Sequence, residues 1–269
     1  MKAALYTGWA FPDDALLPLA REAGLTHASP GEAHLLVGWS LGGLRALRDA
    51  ANGATGVVLE STVRNTAAQN RALTPPLSPW EREKTITLSR LPRRSVARTG
   101  RERAGVRDKT FENHSMPVGI VLISSGARFC ADGHGWPGTA PAALRALQQK
   151  LRAQPDDALR GFHRLTAGED ATETLVDERC RASLAHDLHA GLRELASLDL
   201  RADAPRLAMP TLILHGACDR VFPVDAARAT AQLLPRATLH IHPEAGHDLP
   251  LMQTAWCAEQ IRNWMDAIA

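Results

Sequence analysis

A mostly parallel sheet covered by helices on both faces is the fold these 269 residues predict, and three observations carry it. Short apolar runs alternate with stretches of helical spacing, the pattern of βα units. One such run passes through a Gly-flanked turn straight into a helix, at Gly38-Trp39-Ser40-Leu41-Gly42. Two late runs each lead into a loop with a chemistry-bearing side chain, Asp219 in one and His247 in the other.

Taken in order, Ala3–Tyr6 is a buried strand stopped by Thr7-Gly8. A helix is expected from Pro12 to Ala20, with Asp13 and Asp14 in the first turn, where the helix dipole favours acids. His34–Ser40 is the second strand, and the helix after it sets Leu41, Leu44 and Leu47 on one side. Val57–Ser61 and Gly119–Ser125 are further strands. Residues 140–196 hold no strand signal, only helical patterns broken by Pro155 and Gly168, with Leu144, Leu147 and Leu151 at amphipathic spacing. Then follow a strand at Thr211–Gly216, a helix near Val224–Leu234, a strand at Thr238–His242 and a last helix near Met252–Ile268. The expected organisation is a core of residues 1–139 and 197–269 with a helical lid at 140–196.

Composition narrows the function classes. The chain is 45% hydrophobic with a formal charge of +2, which asks for neither nucleic acid nor an anionic membrane as partner. No stretch reaches 18 apolar residues, so no membrane-spanning helix is expected. Cys130, Cys180, Cys218 and Cys257 lie far apart without metal-ligand spacing, and the first residues lack a secretory pattern. A reduced, cytoplasmic, monomeric protein without metal or cofactor is the simplest expectation. Residues 78–109 carry ten Lys or Arg against four acids. With their Pro, Ser and Thr content, they cannot bury enough surface to offset ordering entropy. Residues 73–116 therefore read as an exposed insertion of disordered composition, its charge solvated or serving a nucleic-acid arm.

The chemistry lies elsewhere. A serine on a strained strand-to-helix turn presents its hydroxyl clear of the backbone, and flanking glycines let neighbouring chain approach. That hydroxyl needs a base, and the base needs a carboxylate to hold its tautomer. Ser40, Asp219 and His247 supply the three in the order nucleophile, acid, base, the last two just beyond strands. Asp225 is a weaker acid candidate because a helix start explains it, and His242 a weaker base because it is still in its strand. Asp248 reads as a solvated or capping group. The oxyanion needs two backbone N–H donors, expected from Leu41 and from Trp9 in the loop after the first strand.

Particular runs add a resemblance. GWA near the start, GWSLGGL at the turn, SSGARFCADGHGWPG, ALRALQQKL, LASLDLRADAPRLAMPTLILHGACDRVFP and EAGHDLP are similar to the pimeloyl-[acyl-carrier protein] methyl ester esterases, a branch of the α/β-hydrolases. The resemblance covers residues 33–50 and about 117 to the C-terminus. It implies an α/β-hydrolase fold and a carboxylesterase of biotin synthesis that removes a methyl group from an acyl chain on acyl-carrier protein. It also implies an acyl channel lined by Phe129 and Phe162, with the acidic carrier docked by Arg160, Arg164, Arg179 and Arg181. Two departures stand out. The family has two more strands before the first, and a further strand and helix before the turn, where this chain has about thirty residues between Trp9 and Ser40. Residues 53–116 have no counterpart. The same triad would serve a broad esterase of short acyl esters, and a degenerate chain that only binds a partner is the non-catalytic alternative.

Overall fold

A computed structural model of the chain describes residues 1–54, 117–168, 171–183 and 186–269. The strand expected at Val57–Ser61 and the basic insertion expected at 73–116 lie outside the described residues.

Six strands form one parallel sheet: β1 Lys2–Tyr6, β2 Thr26–His27, β3 Leu35–Trp39, β4 Gly119–Ile123, β5 Thr211–Gly216 and β6 Ala237–His242, in the order β2-β1-β3-β4-β5-β6. Leu36 pairs with Ala4 on one side and Ile120 on the other. Every residue of β3, β4 and β5 is buried, which demands cover on both faces. That cover comes from α1 Leu17–Glu22 packed on α9 Thr254–Ile268, and from α2 Leu41–Ala54 against β1, β3 and β4. A further helix, α7 Val224–Leu233, packs on β5 and β6. Between β4 and β5 stand four helices: α3 Pro141–Ala153, α4 Pro155–Ala167, α5 Glu173–Ser183 and α6 Leu188–Ser197. Pro155 starts α4, and Gly168 ends it at φ +65°.

Two expectations are corrected. The helix expected from Pro12 begins at Leu17. Residues 12–16 make turns instead, Ala15 N–H donating to Pro12 O at 3.1 Å and Leu17 N–H to Asp14 O at 2.9 Å. Pro18, which has no N–H to satisfy, then sits in the first helical turn. The last helix stands where expected, as α9, preceded by a short helix, α8 Leu249–Met252, and the non-helical backbone of Gln253, at φ −125° and ψ 42°. Beside α1, the thirty residues before the turn also hold a strand, β2. Gly24, at φ +72°, reverses the chain after α1, and β2 pairs beside β1 with Lys2 opposite Thr26.

This wiring chooses the site. The chain leaves β1 toward one edge for β2 and crosses to its other side for β3, so loops diverge between the carboxyl ends of β1 and β3. Ligand crevices in open α/β sheets form at such a reversal.

Candidate active site

Ser40 occupies the single residue between β3 and α2, at φ +56°, a left-handed conformation that costs a side-chain-bearing residue about 1 kcal/mol or more. The surroundings hold it there. Its N–H donates to Ile123 O at 2.9 Å, and Ser125 Oγ donates to its carbonyl at 2.7 Å. Gly42 is required by close approach, since a Cβ there would overlap the Tyr6 carbonyl.

His247 and Asp219 reach Ser40 from the loops after β6 and β5. His247 Nε2 lies 2.9 Å from Ser40 Oγ, and Nδ1 lies 2.8 Å from Asp219 Oδ2. A carboxylate can only accept, so Nδ1 carries the proton and Nε2 is free to accept the serine's. Asp219 Oδ1 accepts from the N–H groups of Val221 and Phe222, both at 2.8 Å. Trp39 Nε1 donates to His247 O at 3.0 Å, fixing the loop from beneath. All three side chains are buried.

Burial alone would lower the His247 pKa. The Asp219 carboxylate and its hydrogen bond outweigh it, Asp248 adds to them, and the net direction is upward. For Asp219, burial pushes up, but the imidazole charge and hydrogen bond prevail and hold the carboxyl below its usual range. A His247 acting as base must be neutral, so the acid limb of kcat/KM is then expected above the ordinary histidine value of about 6.5. A pH–rate profile checks this, and a limb at or below 6 would contradict it.

One neighbour escaped sequence reading. His215, buried at the end of β5, has Nε2 at 2.8 Å from Phe222 O, to which it donates, and at 3.5 Å from Asp219 Oδ2. Burial above all lowers its pKa, so it flanks the acid as a neutral ring. Its place in TLILHG marks only an inward strand position.

Leu41 is the first residue of α2, so its N–H has no acceptor within its helix and stands beside Ser40. Trp9 is buried, its Nε1 donating to Leu188 O at 2.8 Å and its ring meeting Phe162 edge-on at 4.7 Å. The next residue, Ala10, has φ +62°, and its carbonyl accepts from Ser183 Oγ of α5 at 2.7 Å. His163 Nε2 lies 2.9 Å from that hydroxyl, and burial with the nearby Arg179 charge lowers the His163 pKa to about 4. A neutral ring donating to Ser183, which donates to Ala10, thus ties two of the four helices to the loop after β1. Nothing in their spacing marks Ser183 or His163 for this.

A cavity of about 240 Å³ opens beside Ser40, with Trp9, Phe129, Phe162, Leu144 and Leu192 in its wall. The structure therefore brings together the triad, Leu41, Trp9 and both phenylalanines. The four arginines do not gather. Arg160 pairs with Asp177 at 2.5 Å, and Arg164 grips Glu173 with two contacts of 2.8 Å. Arg179 turns inward, paired with Asp248 and set over the Phe11 ring at 5.5 Å. Of the four, only Arg181 is exposed without a carboxylate partner among the described residues. Asp248, read as solvated or capping, is instead buried, and burial raises its pKa against the pull of Arg179.

Comparison with known proteins follows the same lines. The chain matches the Hydrolase_4 family, described as serine aminopeptidase, S33, over residues 22–251. It is 29% identical over 135 residues to a pimeloyl-[acyl-carrier protein] methyl ester esterase of Vibrio vulnificus, covering 48% of this chain and 52% of the relative. A protein of that description from Aromatoleum aromaticum is 32% identical over 136 residues, covering 48% and 54%. The chain spans about half the length of these curated relatives. Among solved structures, it is similar to the esterase EaEST of Exiguobacterium antarcticum, with TM-score 0.66, 16% identity and coverage of 99% and 92%. A bromoperoxidase of Bacillus anthracis gives TM-score 0.63, 14% identity and coverage of 99% and 91%. At such identities, these likenesses establish the α/β-hydrolase fold.

Proposed function

Because the chain belongs to the Hydrolase_4 family of hydrolases, described as serine aminopeptidase, S33, we propose that it is a serine carboxylesterase with Ser40 as nucleophile. The observation that carries this reading is the unbroken hydrogen-bond line from Asp219 through His247 to Ser40. Ser40 Oγ attacks the ester carbonyl as Nε2 takes its proton, and the Leu41 and Trp9 N–H groups hold the oxyanion. The alcohol leaves with the proton from His247. Water, deprotonated by the same nitrogen, then releases the acid.

The cavity favours an acyl ester over a peptide N-terminus. An aminopeptidase needs an acceptor for the substrate's ammonium group, and no carboxylate lines this cavity among the described residues. Its charged lining residues are Lys150 and Arg220, which repel an ammonium. The names of the relatives suggest the substrate: the methyl ester of a pimeloyl group on acyl-carrier protein, the lid helices meeting the carrier. Of the four arginines the resemblance names, Arg160, Arg164 and Arg179 are already paired, which leaves Arg181 for that contact.

The test is a fluorophosphonate probe followed by peptide mapping, alongside turnover of a short p-nitrophenyl ester and of methyl pimeloyl carrier. Labelling at Ser40 with turnover of both esters is expected. Turnover of the small ester alone would favour the broad esterase, and absence of labelling would sink the catalytic reading.

A further inference from the structure

The triad accounts for bond cleavage, but two side chains of the cavity take no part in it. Lys150 lies on α3 and Arg220 directly follows the acid Asp219. Both line a wall that is otherwise mostly apolar. Neither has an ion-pair partner among the described residues, whereas Arg160, Arg164 and Arg179 are each neutralised by a carboxylate. Gly161, inside α4, also lines the cavity, and the Lys150 ammonium passes 3.6 Å from where a Cβ would stand on it. A glycine inside a helix costs about 1 kcal/mol relative to alanine. At 3.6 Å a Cβ would only touch the ammonium, which therefore lies against this turn of α4.

A methyl or alkyl chain gains nothing from two unpaired cations, and a cation is repelled by them. An anion is attracted, more strongly near a low-dielectric apolar wall than in open water. We infer that the substrate is an ester whose acyl part carries a negative charge, held by Lys150 and Arg220. This rests on the esterase reading for the ester end of the chain. A carboxylate and a phosphate would satisfy the two cations alike.

The experiment compares methyl esters of one chain length that end in a methyl group, a carboxylate or a phosphate. The kcat/KM of the charged esters is expected to exceed that of the neutral one about tenfold at low ionic strength, each exposed cation supplying a few-fold. The ratio should shrink as salt screens the charges. Lys150→Glu and Arg220→Gln should each bring it toward one, and Lys150→Glu/Arg220→Glu should invert it. A phosphate preferred over the carboxylate, or the reverse, identifies the end group. Calorimetric binding of the same esters to Ser40→Ala protein reads the cations without catalysis. Preferential binding of anionic esters that Lys150→Glu abolishes, with no turnover by wild type, would refute the esterase reading and keep the anion subsite. Turnover with a ratio near one that charge reversal leaves unmoved would overturn the anion subsite and keep the esterase. Charge reversals that alter only carrier-bound turnover would also overturn it, reassigning the cations to the carrier.

Discussion

Replacing Ser40 by alanine is expected to lower kcat on any ester by about 10⁶-fold, with KM little changed. The size follows from the nucleophile and base acting as one unit: His247 has nothing to deprotonate, and only binding and the oxyanion donors remain. The fold should survive. Ser40 Oγ is bonded only to His247 Nε2 among the described residues, while the bonds holding the turn use its backbone N–H and carbonyl. Alanine at φ +56° is no worse placed than serine. Rates on a chromogenic ester, with a thermal melt as control, check this. A folded variant that keeps a tenth of its activity would move the nucleophile elsewhere.

The second large effect is on stability. Arg179→Met should cost about 3–5 kcal/mol near neutral pH, because it removes the cation from a carboxylate with almost no solvent. The sign of the pH dependence follows from Asp248. Burial raises its folded pKa above the unfolded value, so the folded state holds more protons in between and stability falls as pH rises through that window. Without Arg179 the carboxyl rises further, and the loss should deepen from pH 5 to pH 8. Arg179→Met/Asp248→Asn should recover most of it, since a neutral amide needs no counter-charge. Urea unfolding midpoints of wild type and both variants at the two pH values decide the matter. A double variant as unstable as the single at pH 8 would show that the cost is lost packing against Phe11 instead.

What was legible in the sequence was whatever local chemistry dictates. A strained serine turn needs small neighbours on both sides, so Gly38 and Gly42 announce Ser40 within five residues. Asp219 and His247 are legible because a parallel strand must end in a loop, and punctuation such as Gly216 and Gly246 marks where. What was hidden depends on partners far along the chain. Arg179 reads as a carrier-docking group and Asp248 as a solvated or capping one, and only their meeting across 69 positions makes burial affordable. Arg160 and Arg164 read as open to a carrier because their partners, Asp177 and Glu173, lie on the next helix. The two-residue β2 carries no apolar alternation, being exposed at both positions, and is a strand only because β1 lies alongside. The start of α1 was misread because Pro12 and two acids suit a turn as well as a first helical turn.

The indole bond from Trp39 to the His247 carbonyl joins residues 208 positions apart, and the serine–imidazole bond spans 207. Closing so long a loop costs entropy that local contacts do not repay, and parallel pairing offers no hairpin shortcut. Ser40 and its turn belong to the first quarter of the chain, while His247 arrives with β6. During refolding or synthesis, the three side chains are therefore brought together only after β6 has joined the sheet, so on the proposed roles no early, loosely packed species carries an activated serine.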